Sequence, residues 1–162
     1  MPKVTKAEFE QIARENMQTL YAHAAVITAS AQDAEDAAQE AIYRLLVRTK
    51  PFESREHIRA WLIRVTVNAA LKMRKRQARF SEDIESEELW EDFSYPEQSE
   101  VTRAVMQLEE GSRAVILLFY YDEYSVREIA KALKISPSAV TSRLSRARAR
   151  LKEILKGEYF YE

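Results

Sequence analysis

The stretch "VREIAKALKISPSAVTSRLSRARARLK", residues 126–152, decides the fold. Ser125 just before it and Glu128 within it stand at capping-box spacing, which opens a short helix over "VREIAKAL". Lys134 and Ile135 make a turn. Ser136 then caps a second helix, with Pro137 at the first helical position. In that helix Val140, Leu144, Ala147, Leu151 and Leu155 recur at helical spacing and form one apolar face. Ile129, Ala130, Leu133 and Ile135 supply the matching seam. Two short helices, a tight turn and a shared seam make a helix-turn-helix.

The opposite face of the second helix carries Ser138, Thr141, Ser142, Ser145, Arg146, Arg148 and Lys152, with Arg143 and Arg150 at its flanks. Hydroxyl side chains near the start allow close approach to a base-pair edge or a phosphate, and arginines further along reach guanine edges or backbone oxygens. The helix N-terminus itself attracts phosphate. A solvated amphipathic helix is the competing reading, but such helices mix charge signs. Residues 136–152 contain no acid. DNA binding is therefore expected here, although repressors and response regulators use the same motif.

The rest of the chain places this helix in context. Net charge is only -1, yet the charge is segregated. Residues 41–80 hold eleven Lys/Arg against two Glu, and residues 81–110 hold eleven Asp/Glu against Arg103 alone. Residues 131–156 hold eight Lys/Arg against Glu153. A polyanion meets local fields, so near-neutrality does not argue against one. The absence of cysteine excludes disulfides, thiolate metal sites and cysteine nucleophiles, and two histidines with no ligand-spaced cluster point to no metal. No cofactor motif is present. No apolar run approaches a membrane span, and "MPKVTKAEFEQ" does not read as a signal peptide, so a cytoplasmic protein is expected.

Few glycines and long periodic segments predict an all-α chain of 162 residues in two small helical domains, 1–80 and 99–162, joined by an acidic linker, 81–98. A first helix opens at Thr5, with Glu8 at capping-box spacing and Phe9, Ile12, Ala13, Leu20, Tyr21, Ala24 and Ile27 approximating an apolar face. A second runs from about Gln32 to Arg48, with Ala37, Ala41, Ile42, Leu45 and Leu46 inward, and Pro51 stops it. After the loop "KPFESREH", a third covers roughly 55–78, with Ile58, Trp61, Leu62, Val65 and Ala69 on one side. Trp61 belongs to that apolar series and is read as core, and His23 is read as structural. The segment "SEDIESEELWEDFSYPEQSE", 81–100, is acidic and weakly periodic, and reads as a linker or a loosely docked segment. Residues 99–108 and 112–121 read as two further helices. Gly157 reads as the stop of the last one, before the aromatic tail "GEYFYE".

Three segments in order, "DAEDAAQEAIYRLL" (33–46), "AWLIRVTVNAALKMRKR" (60–76) and "LEEGSRAVILLFYYDEYSVREIAKALKISPSAVTSRLSRARARLK" (108–152), resemble the bacterial extracytoplasmic-function sigma factors. The resemblance covers about 30–80 and 100–155. It implies a two-domain RNA polymerase subunit with only regions two and four, which directs promoter recognition and melting. Partners implied are core RNA polymerase, through its largest-subunit clamp coiled coil and its flap, promoter DNA, and an anti-sigma factor.

The same resemblance implies roles for particular residues. Asp36, Gln39 and Glu40 match the polar face that docks on the clamp coiled coil; at i, i+3 and i+4 they share a face suited to arginines. The loop after Pro51 would hold an unstacked base of the minus-ten element, with Phe52 or His57 as a stacking ring, although His57 also reads as an ordinary loop residue. Asn68 takes the DNA-facing position, while Arg55, Arg59, Lys72, Arg74, Lys75 and Arg76 would hold single-strand phosphates. Ser138, Thr141, Ser142, Ser145 and Arg146 would meet the minus-thirty-five element, with Arg143 and Arg148 alongside. Four positions depart from the pattern. Glu109 stands for a usual Pro, Glu123 for Gly, and Thr141 for a frequent Lys or Arg. Ala37 and Ala38 stand for a bulkier Leu or Val. A regulator that never joins polymerase would leave 30–80 unexplained. An enzyme would need a polar constellation that the sequence lacks. An oligomerisation bundle in the first half would predict a stable dimer.

Overall fold

The structure is a computed structural model that describes residues 4–80 and 100–159. The acidic segment and the residues Phe160 and Tyr161 of the tail lie outside the described residues. All regular structure among the described residues is helical. The chain divides into two compact units, Met1–Leu89 and Trp90–Glu162.

In the first unit, α1 (Lys6–Thr28), α2 (Ala31–Val47) and α3 (Arg55–Phe80) pack on one another. The start of α1 is set by a complete capping box: Thr5 accepts from the Glu8 amide at 3.2 Å, and the Glu8 carboxylate accepts from the Thr5 amide at 3.0 Å. Ala29 ends it in the left-handed conformation, φ 55°, and Ser30 caps α2 through the Asp33 amide. The α2 face against the core is almost all alanine: Ala34, Ala37, Ala38 and Ala41 are fully buried, with Leu45. Ala37 and Ala38 therefore lie against the unit's own core, where small side chains bring helix axes close. Leu46 was expected to face inward but is 59% exposed. It follows buried Leu45 by one position, about 100° around the helix.

Helix α3 is the centre of this unit. Ile58, Leu62, Ile63, Thr66, Val67, Ala69 and Ala70 are all buried, so its middle is enclosed on more than one side. Buried polar groups close locally. Asn16 donates to the Ile12 carbonyl, His23 Nδ1 lies 2.8 Å from the Thr19 carbonyl, and Thr28 donates to the Ala24 carbonyl. His23 is structural, as its place in α1 suggested.

In the second unit, α4 (Glu100–Val105), α5 (Glu110–Ile116), a π-helical turn (Leu117–Tyr121), α6 (Val126–Leu133) and α7 (Pro137–Tyr159) follow in order. Helix α7 is the hub on which α4, α5 and α6 pack. Its buried strip is Val140, Leu144 and Ala147, opposite Ile129 and Ala130 of α6. Both expected caps are present. Ser125 and Glu128 form a reciprocal box, and Ser136 accepts from the Ala139 amide at 3.1 Å. Lys134 holds the turn in the left-handed conformation, φ 60°.

Three expectations change here. The single helix expected over 112–121 is α-helical only to Ile116, then π-helical; Asp122 donates to the Leu117 carbonyl at 3.2 Å. Gly157 does not stop α7, which runs to Tyr159. One glycine costs a helix only about 1 kcal/mol and no proline follows it. Glu123, where the sigma pattern has glycine, still adopts φ 60°. The turn keeps the geometry that glycine would favour, with a side chain that meets a steric penalty there. No helix among the described residues is long and apolar enough to cross a membrane.

Candidate nucleic-acid interface

On α2 the buried alanines leave one face outward. Asp36 and Gln39 are exposed and Glu40 is half-buried. Asp36 accepts from the Gln32 amide group at 3.3 Å, and Glu40 pairs with Arg44 at 2.9 Å. The same face continues through Tyr43, Leu46 and Val47, which are 61%, 59% and 53% exposed. Sequence reasoning assigned Leu46 to the core and gave Tyr43 and Val47 no role. Their spacing from Asp36 and Gln39, at three- and four-residue steps, was the available signal.

The loop between α2 and α3 is organised by rings. Phe52 is only 3% exposed and packs edge-to-face on His57 at 5.1 Å and Trp61 at 5.5 Å. That corrects Phe52 as a base-stacking ring: its faces are already occupied. The Arg48 guanidinium carbon lies 4.1 Å from the Phe52 centroid and 5.0 Å from that of Trp61, and its Nε donates to the Lys50 carbonyl. Arg48 had no place in the sequence reading. His57 is half-buried, and its Nδ1 accepts from the Glu53 amide at 3.0 Å, which puts the neutral ring's proton on Nε2. Ser54 caps α3 by accepting from the His57 amide.

The cations of α3 do not form one cluster. Arg55 faces Glu15 of α1 at 3.6 Å, and Arg59 donates to Asn16 Oδ1 at 3.2 Å. Lys72, Lys75 and Arg76 are exposed or half-buried with Arg74 near the other end, and half-buried Asn68 lies between. At about 1.5 Å per residue the two groups are separated by ~20 Å along the axis.

On α7 the expected face is realised. Ser138, Thr141, Ser142, Ser145, Arg146 and Arg148 are exposed, and the buried strip lies behind them. The Thr141 hydroxyl donates to the Pro137 carbonyl at 3.1 Å, and Ser136 and Ser138 hydroxyls lie 3.2 Å apart. Arg146 stands near the middle of the outward arc. Arg143 and Arg148 sit on its two sides and are both engaged with the domain. Arg143 is half-buried against α5, so close that a Cβ at Gly111 would stand 3.2 Å from its Nη1. Arg148 donates from Nε to the Tyr120 hydroxyl at 2.6 Å. Arg113, which the sequence reading passed over, is buried at the base of α5 and donates to the Leu108 carbonyl.

The chain matches the family models for sigma-70 region 2 over residues 12–80 and sigma-70 region 4 over residues 98–151. It is 30% identical over 151 residues to the ECF RNA polymerase sigma factor SigM of Mycobacterium tuberculosis, covering 91% of this chain and 76% of that one. It is likewise 30% identical to the RNA polymerase sigma-E factor of Streptomyces coelicolor, over 91% of this chain and 86% of the relative. Among solved structures it is similar to the sigma factor RpoE of Bartonella quintana, crystallised with the anti-sigma factor NepR, with a TM-score of 0.68, 25% identity and coverage of 92% of this chain and 97% of that one. A capped helix-turn-helix with an acid-free outer face, following a three-helix unit, is thus found in the order of regions two and four. The chain belongs to the sigma-70 family, as an extracytoplasmic-function sigma factor acting in transcription initiation.

Proposed function

We propose that this sigma factor works by binding energy alone and catalyses no bond chemistry. Helix α7 anchors duplex DNA at the minus-thirty-five element, and the loop 48–54 with α3 traps unpaired bases of the minus-ten element. The outward face of α2, from Asp36 to Val47, docks on the clamp coiled coil of core RNA polymerase; the second domain meets the flap. Residues 1–80 act as the region-two domain, 99–162 as the region-four domain, and 81–98 as the link. Two modules on one link raise each other's effective concentration on a promoter. The site of action is the cytoplasm, and an anti-sigma factor is the regulator; the similar RpoE is seen bound to one.

The observation that carries this reading is the outer face of α7: exposed hydroxyls at Ser138, Ser142 and Ser145 with Arg146 among them, and no acid from 136 to 152. Small side chains admit the groove and the arginine reads an edge. Transcription with core polymerase on genomic DNA, with start sites mapped, tests it. Discrete start sites sharing two spaced elements are expected. Arg146→Ala should weaken promoter binding by about tenfold, the scale of one base-edge contact, without loss of polymerase binding. Failure to co-purify with core polymerase, with no promoter-dependent transcript, would overturn the reading.

A further inference from the structure

Tyr120 is 55% exposed, an unusual position for a ring that gains most from burial. The π-helical turn carries it outward, beside α7. Arg148 Nε can only donate, so the tyrosine hydroxyl accepts that 2.6 Å bond and keeps its own proton for another acceptor. The Arg148 guanidinium carbon also lies 5.5 Å from the ring centroids of Phe119 and Tyr120. Arg150, two residues on, pairs with Glu153 at 3.7 Å. Arg148 is instead held by neutral groups, and among the described residues no carboxylate pairs with it. Its positive charge is fixed in place, exposed and uncompensated. Residue 148 falls within about 20° of Thr141 around the helix and within about 40° of Lys152. This is the edge of the outward arc, where a helix lying in a groove meets backbone and not base edges.

We propose that Tyr120 and Arg148 form a phosphate-binding pair that grips the backbone of duplex promoter DNA at the edge of α7. The arginine's terminal amino groups and the tyrosine hydroxyl proton supply neighbouring donors to one phosphate. Accepting from a cationic donor polarises the hydroxyl and strengthens what it donates. The pair deepens the reading of α7 as the duplex anchor and rests on it.

Binding of the holoenzyme to a promoter duplex across a salt series tests the pair. Tyr120→Phe keeps the ring and should weaken binding about fivefold, the scale of one hydrogen bond. Arg148→Ala should weaken it about tenfold and lower the slope of log affinity against log salt by about one. A single neutral methylphosphonate at the gripped position should abolish both differences. If both variants bind as wild type while Arg146→Ala binds weakly, the pair is wrong and the reading of α7 stands. If Arg146→Ala also binds as wild type, the α7 reading falls and takes the pair with it. A lowered melting temperature for Arg148→Ala with an unchanged salt slope would make the contact a structural strut and overturn the proposal.

Discussion

The two long basic helices are built in opposite ways. Helix α3 is enclosed along its middle, with Leu62 and Val67 wholly buried, and its cations stand near its ends. Helix α7 buries only the strip through Val140, Leu144 and Ala147, and its hydroxyls and arginines run along its length. Side-on contact with a continuous duplex suits α7. Helix α3 offers charge at two separated points, with part of its first group already committed to α1. Equal basicity in sequence therefore yields two different surfaces, and the distribution of burial decides which.

The largest expected effect tests whether each helix carries its own unit. Leu62→Ala and Leu144→Ala each remove a buried side chain and should cost about 2–5 kcal/mol. In thermal unfolding each should lower the transition of its own unit and leave the other in place. A single shared transition that both variants lower equally would break the comparison. A smaller effect is expected at the turn that leads to α6. Glu123 sits at φ 60°, so Glu123→Gly should stabilise the second unit, by up to about 1 kcal/mol once the added freedom of the unfolded chain is deducted. Denaturant midpoints measure it; a loss of stability would show that the Glu123 side chain contributes more than its backbone strain costs.

The smallest effect lies in the first unit. The Glu8 carboxyl is held below its ordinary value of 4.5, first by the Thr5 backbone amide and then by the Thr5 hydroxyl. A carboxylate whose folded pKa is lowered contributes fully above the unfolded value and loses that contribution as pH falls through the folded one. The stability difference between wild type and Glu8→Gln should therefore shrink on acidification from neutral pH to below 4.5. Chemical denaturation at several pH values reads it, and a pH-independent difference would show that the cap is not electrostatic.

Local chemistry was legible in the sequence. Thr5 with Glu8, Ser125 with Glu128 and Ser136 with Pro137 act within one helical turn, and all three open helices where expected. The α7 strip was legible because its apolar spacing has a clear phase. "LLFYY" has no phase, since every residue in it is apolar or aromatic, and the π turn was missed. Phe52 was read as exposed because it follows a proline in a loop. Only the later return of Trp61 and His57 encloses it. Arg48, Arg143 and Arg148 gain their roles from rings and a glycine distant in sequence or on another helix, which no local pattern encodes.

The π turn has a consequence for how the second unit tolerates change. Asp122 reaches back five residues to the Leu117 carbonyl, and Tyr124 reaches back six to that of Leu118. The chain thus takes up one residue more per turn here than an α-helix would. A single-residue deletion within 117–121 would let the helix close in α register and swing the downstream helices by about 100°. The Ser125 cap and the whole reading helix behind it would be re-aimed. Substitutions in this stretch alter side chains, but it is the number of residues that sets the direction of α6 and α7.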